Sequence, residues 1–394
     1  MTRRSLVRAG LACAAPFFTS ALPANAGFPV SMGGPPARNA ARGSWPLWNA
    51  YTDRFLDWSG RIVDYDENER TTSEAQAYAL FFALVANDRA RFERLLSWTV
   101  QNLFQGEPDS RLPAWLWGNK SGRWGVLDQN SASDADLWLT YSLLEAGRLW
   151  NERRYTALGQ SLERCIRAQE VKDIPGLGPM LMPAPYGFLT SDGFYQLNAS
   201  YLPVQLLLGV SNHVPKSPWS QIAETAPRVI TSSAPAGFFL DWIAYRPGED
   251  FSPDPVPPGE PCASYDAIRV YLWAGMLPTG YPAQNELLAS SYGMTRYLRR
   301  NSAPPAEVSP NGQVKNASGN AGFSAALLPF LAATHEPGPF KQQEQRLRDA
   351  LSPATGLYGS KPRYYDQNLA LFATGWLDGR FRFDEKGLLR VSWR

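Results

Sequence analysis

The sequence predicts an all-α fold of twelve helices in six pairs, set as an inner ring of six within an outer ring of six. Three observations carry that expectation. Helices apolar on nearly every side alternate along the chain with helices apolar on one face only, and an all-apolar helix has to be buried. Polar or aromatic residues recur at the starts of the apolar helices: Glu74, Asp134, Tyr201, Asp266 and Tyr365. No motif recurs at a fixed period, and closure into a ring needs none. A long right-angled helical array would give the same alternation.

Residues 44–58 read as a first helix, with Trp45, Trp48, Tyr51, Phe55 and Trp58 near helical spacing. A polar loop over 60–70 leads into an apolar helix over about 72–87, for which Thr72 or Ser73 can supply the N-cap oxygen. Asn87 or Asp88 caps a third, surface helix to about Phe104. The loop 105–131 holds Trp115, Trp117 and Trp124, so it reads as ordered, each ring either plugging the surface or stacking on a ligand. Asp134 and Asp136 then open an apolar helix, and 152–170 is amphipathic through Tyr155, Leu158, Leu162 and Ile166.

The alternation continues. An apolar helix opened by 199–203 ends near Val210, and 218–230 is mixed. Residues 263–269 open an apolar helix to about Met276, and 282–298 is amphipathic. Residues 322–324 open an apolar helix over 325–332, and 341–351 is polar. Residues 364–368 open the last apolar helix, to Trp376. Short strands are expected in the glycine- and proline-rich stretches 178–188, 236–246 and 311–316. In a barrel of parallel inner helices, the helix starts meet at one end and line a cleft with carboxylates and aromatics.

The N-terminus has the pattern of a secretory signal. Arg3, Arg4 and Arg8 precede a small, apolar stretch from Ala9 to Leu22, and Ala24-Asn25-Ala26 fits a cleavage site. Residues 1–26 are expected to be removed, leaving one catalytic domain over 27–394 that is periplasmic or secreted, with no membrane span. Loss of three arginines leaves 35 basic against 36 acidic residues, which gives no footprint for nucleic acid or anionic lipid. Cys165 and Cys262 remain, enough for one disulfide but not for a framework. The two histidines, His213 and His335, belong to no metal-binding or triad motif, so neither a metal nor another cofactor is expected.

Glu74 is the acid at the mouth of the first apolar helix. It either completes a capping box or stands where an apolar interior meets a polar opening, a setting that raises a carboxyl pKa. Carboxylates in an aromatic cleft, without a histidine base or metal ligands, suggest glycoside hydrolysis: one carboxylic acid protonates the leaving oxygen and one carboxylate activates water or attacks carbon.

Several segments carry a family resemblance. Ala132-Ser133-Asp134-Ala135-Asp136, continuing through Leu143-Leu144-Glu145-Ala146-Gly147-Arg148-Leu149-Trp150, is similar to the signature of glycoside hydrolase family eight. Thr72-Ser73-Glu74-Ala75-Gln76 resembles that family's general-acid segment and Ser264-Tyr265-Asp266-Ala267-Ile268-Arg269 its general-base segment. The match extends to 111–118, 199–203, 322–326 and 380–383, and together these look like the endoglucanase subgroup encoded beside bacterial cellulose synthase. The resemblance implies an (α/α)6 barrel, an inverting mechanism and a β-1,4-glucan substrate such as cellulose, with functional association with a cellulose synthase complex. It implies Glu74 as general acid, Asp266 as general base, Asp134 as holder of sugar and water, and Tyr201 and Arg269 as orienting groups. Trp115, Trp117 and Tyr365 are the further candidate substrate contacts. Ala75 stands where the family usually has glycine. Rival readings are chitosan or xylan as substrate, or a non-catalytic glucan-binding component of an export system.

Overall fold

The computed structural model describes residues 44–253, 260–278 and 280–394, so the expected signal segment lies outside the described residues. The helices are α1 (Pro46–Phe55), α2 (Ser73–Val85), α3 (Arg89–Asn102), α4 (Ser133–Trp150), α5 (Arg153–Gln169), α6 (Val204–His213) and α7 (Trp219–Ser232). They continue as α8 (Ala267–Gly275), α9 (Gln284–Ser290), α10 (Tyr292–Leu298), α11 (Ala321–Ala333), α12 (Pro337–Ala350) and α13 (Tyr364–Leu377).

They close into an (α/α)6 barrel. The inner ring runs α2, α4, α6, α8, α11, α13 and back to α2, with the 3-10 turn Ala199–Tyr201 bridging to α8. Each inner helix has an outer partner: α3 on α2, α5 on α4, α7 on α6, α9 on α8, α12 on α11 and α1 on α13. Burial follows the pattern of apolar residues. In α2 every residue except Glu74 is buried, whereas α12 buries only Pro339, Gln343 and Leu347. An aromatic cluster fills the barrel interior, where Phe372 meets Phe82, Trp138 and Trp273 at ring-centroid separations of 4.6, 4.9 and 5.1 Å.

The expected helix over 282–298 is broken at Ser291. The hydroxyls of Ser290 and Ser291 donate to the carbonyls of Leu287 and Leu288, at 2.8 and 2.7 Å, offering those carbonyls an alternative partner to the helix. The break also seats Gly293 on the 236–238 loop, where a Cβ would lie 2.7 Å from the Ala236 carbonyl oxygen. The first helix ends at Phe55 rather than 58, which leaves Trp58 89 % exposed in a turn.

Strands β1 (Thr71–Thr72), β2 (Leu116–Lys120) and β3 (Arg123–Asp128) form an antiparallel sheet, so most of the expected loop 105–131 is folded around a hairpin. Of the expected strand regions, 178–188 holds β5 (Gly178–Leu181), paired with β4 (Val171–Ile174). Region 236–246 holds β7 (Ile243–Tyr245), between β6 (Tyr195–Leu197) and β8 (Phe251–Pro253). Region 311–316 holds β10 (Val314–Asn316), paired with β9 (Glu307–Val308). A hairpin of β11 (Phe381–Phe383) and β12 (Leu389–Val391) was not foreseen; Phe381 and Phe383 pack on Phe81 of α2 and close one end of the barrel. Cys165 and Cys262 do not form a disulfide with each other. No helix among the described residues is long and apolar enough to cross a membrane.

Candidate active site

The open end of the barrel is built from the starts of the inner helices. Thr72 is the N-cap of α2, and its hydroxyl accepts the Ala75 N–H at 3.2 Å. This makes Ala75 the third helical residue and Glu74 the second, so Glu74 is not the reciprocal member of a capping box. It is instead the one residue of α2 that reaches the surface, with Ser73 Oγ donating to its Oε2 at 3.4 Å. The start of α2 is fixed from outside: Ser73 N–H donates to the Trp115 carbonyl at 3.0 Å, and Trp115 N–H donates to Asn130 at 2.8 Å. Trp115 is buried, and its backbone thus ties the mouth of α2 to the approach of α4.

Asp134 is also the second residue of its helix, but it is 1 % exposed. Asp266 occupies the N-cap position of α8. Arg269, one turn on, joins the two: its Nη2 donates to Asp266 Oδ1 at 2.8 Å, to Ser200 Oγ at 2.8 Å and to Asp134 Oδ2 at 3.4 Å. Burial opposes the guanidinium charge, but Tyr78, Tyr365, Asp266 and Asp134 outweigh it and hold Arg269 firmly protonated. The other oxygen of Asp266 accepts Asn198 Nδ2 at 3.1 Å, and Asn198 Oδ1 in turn accepts Ser200 Oγ at 2.7 Å. Arg269 lies over the Tyr201 ring at 5.7 Å, which sets Tyr201 beside the same cluster.

Two consecutive residues of α13 span the space between the acids. Tyr364 is hydrogen-bonded to Thr72 and lies in the field of Glu74, whereas Tyr365 lies in the field of Asp266 and Arg269. Tyr365 Oη donates to the Tyr265 carbonyl beside Asp266. Beneath them Tyr78, one turn after Glu74, feels Arg269, Asp134, Tyr365 and Glu74 together; burial first, then the acids, push its hydroxyl well above the ordinary tyrosine pKa.

The sequence-predicted residues Glu74, Asp134, Tyr201, Asp266, Arg269 and Tyr365 thus converge on one rim. Trp117 is placed differently. Its ring stacks on Trp124 at 5.2 Å, meets Trp98 of the outer helix α3 edge-on at 5.2 Å, and carries Arg61 at 5.1 Å. The aromatic that joins Tyr201 is Trp242, at 5.9 Å, itself stacked on Phe188. Tyr78, Asn198, Ser200, Asp241 and Trp242 were missed from the sequence. Only Tyr78 left a signal, its one-turn spacing from Glu74.

The inner-ring order sets α2 and α8 three places apart in a ring of six, so Glu74 and Asp266 belong to opposite helices. Such an arrangement can deliver a proton from one side of a bound group and take one up on the other.

The chain matches the family model for glycosyl hydrolases family 8 over residues 37–379. It is 45 % identical to an endoglucanase of Xanthomonas axonopodis pv. citri (strain 306), covering 100 % of this chain and 98 % of that one. An endoglucanase of Salmonella typhi is 43 % identical, covering 89 % and 91 %. Among solved structures, an endo-1,4-D-glucanase from Vibrio fischeri ES114 superposes with a TM-score of 0.83 at 36 % identity, covering 89 % of this chain and 99 % of that one. The chain belongs to glycosyl hydrolases family 8.

Proposed function

We propose that the protein is an endo-acting β-1,4-glucanase in which Glu74 is the general acid and Asp266 the general base of an inverting hydrolysis. One observation carries the reading: Glu74 is the only surface-reaching residue of a buried helix, and the helix opposite it in the ring presents Asp266. Relatives bearing the name endoglucanase, at 41–45 % identity, supply the substrate class.

In this mechanism the protonated Glu74 gives its proton to the glycosidic oxygen as the C1–O bond breaks. Water attacks C1 from the opposite face, and Asp266 takes the proton that the water loses. The product carries the inverted, α configuration at its new reducing end. Exchange with solvent reprotonates Glu74 and deprotonates Asp266. Arg269 keeps Asp266 oriented, and Asp134, held through the same guanidinium, contacts the sugar at the cleavage point. Ring geometry supports an inverting spacing. Adjacent helix axes about 9 Å apart put opposite axes about 18 Å apart, and two side chains reaching inward leave roughly 7 Å. Inversion needs about 6.5–9.5 Å, to seat a water; retention needs about 5–5.5 Å.

We further propose export to the periplasm or exterior, from the basic and apolar pattern of residues 1–26, and action on cellulose in association with its synthesis, from the subgroup resemblance. Assay of new reducing ends from soluble cellulose, chitosan and xylan tests the substrate. The reading predicts release from cellulose; release from chitosan or xylan alone contradicts it.

A further inference from the structure

Asp266 sits at a helix cap that it does not itself fill. Both of its oxygens are turned to side chains, Oδ1 to Arg269 and Oδ2 to Asn198, and it makes no cap hydrogen bond to α8. The cap comes from a separate segment. Asp241, in the turn before β7, accepts the backbone N–H groups of Ser264 and Ala267 on Oδ1, both at 2.8 Å. Its own N–H donates to the Cys262 carbonyl at 2.8 Å, and its Oδ2 faces the Cys262 thiol at 3.7 Å. Three backbone ties therefore bracket Asp266 on both sides in sequence.

We propose that Asp241 is a positioning residue for the base: by capping α8 from outside, it fixes the 262–267 segment and leaves the Asp266 carboxylate to work on water. The inference rests on the assignment of Asp266 as base. A carboxylate at an N-cap ordinarily accepts the orphan N–H groups of its own helix, which would turn it away from the cleft. Here that demand is met by another acid. Charge adds a second consequence. Burial and then the charge of Asp266 push Asp241 up to about 7, against the Ala267 and Ser264 N–H groups and Arg269. Burial and the neighbouring charge thus favour the protonated form of Asp241 in the mildly acidic range, which spares the base a second negative charge beside it.

The test compares kcat, KM and pH profiles of Asp241→Ala, Asp241→Asn and Asp266→Asn, with Asp88→Ala as control. Asp88 caps the outer helix α3 through the Arg91 N–H and lies at the other end of α2. Asp241→Ala should lower kcat about 100-fold with KM within about threefold of wild type, the effect of a displaced catalytic group. Asp241→Asn keeps an oxygen for both N–H groups and mimics the protonated acid. It should recover kcat to within about threefold in the mildly acidic range and remove an ionisation near pH 7 from the kcat/KM profile. Asp88→Ala should lose melting temperature and keep kcat. If Asp241→Ala behaves like Asp88→Ala, the proposal is overturned. If Asp241→Ala does not fold, the Asp241→Asn profile decides: loss of the ionisation supports the proposal, and an unchanged profile overturns it. Full turnover in Asp266→Asn would instead remove the base assignment, a result separate from any outcome at Asp241.

Discussion

At the scale of the residue, Glu74 illustrates how neighbours decide a role. One acid at the start of an apolar helix reads locally as a cap before it reads as a proton donor. Thr72 resolves the first reading by taking the Ala75 N–H itself, which leaves Glu74 at the second helical position and directed to the opening. Glu74→Gln keeps the shape and hydrogen-bonding reach of the side chain but has no proton to give. Its kcat should fall about 10²–10⁴-fold while cello-oligosaccharide binding measured by calorimetry is kept. Undiminished turnover would remove Glu74 from the role. Ala75 is 1 % exposed, so its methyl group is taken up in the helix packing rather than presented to the cleft. The residues that the sequence did not disclose are those whose function depends on a partner distant in the chain. Asn198 and Asp241 meet Asp266 across 68 residues and across the segment 241–267, and no local pattern marks such meetings.

At the scale of the element, the alternation of buried and amphipathic helices was legible because periodicity records burial directly. It gave the helix pairs and placed the acids on one rim. It failed where side chains compete locally with the backbone, as in the Ser290-Ser291 break, and where strands are too short for a pattern. Trp117, the one aromatic of β2, faces Trp98 of the outer helix α3 rather than the cleft, a direction set by pairing with Thr71. The β11–β12 hairpin is held by a buried acid. Glu145 of α4 is ion-paired with Arg148, hydrogen-bonded with His213 Nε2 at 2.5 Å, and accepts the Leu389 N–H at 3.0 Å; Arg148 also donates to the Leu389 carbonyl. Removing Glu145 leaves the half-buried Arg148 without its counter-charge and the Leu389 N–H without an acceptor. Glu145→Ala should cost about 1–3 kcal/mol of stability in denaturant unfolding. KM should be unchanged, because the cluster lies at the closed end.

At the scale of the whole molecule, burial at the rim pushes two carboxyls, Asp241 and Asp366, up toward neutral pH. Burial, and less so Asp66, raises Asp366 to about 7, against Arg363 and its hydrogen bond from Asn320. Gly322 packs directly on it; a Cβ there would lie 2.8 Å from Asp366 Cα. An unfolded aspartate releases its proton near 4, so between about 4 and about 7 the native chain holds a proton that the unfolded chain does not. Stability from this group is therefore complete below the unfolded value and is lost as pH rises through about 7. Asp366→Asn should match wild type at about pH 4 and exceed it above about pH 7, by up to about 4 kcal/mol, read as a higher melting temperature. Equal melting temperatures at both ends of that range would contradict the account. The same architecture gathers six distant helix starts at one end, which brings isolated acids together as the proposed catalytic constellation. The most direct measurement of that claim is a crystal structure of the Glu74→Gln protein with cellohexaose. In that complex the scissile glycosidic oxygen should lie within hydrogen-bond reach of the residue 74 side chain, with a water between Asp266 and the anomeric carbon on the opposite face. A sugar whose scissile bond lies away from both residues, or carboxyl positions only about 5 Å apart with no room for that water, would contradict it.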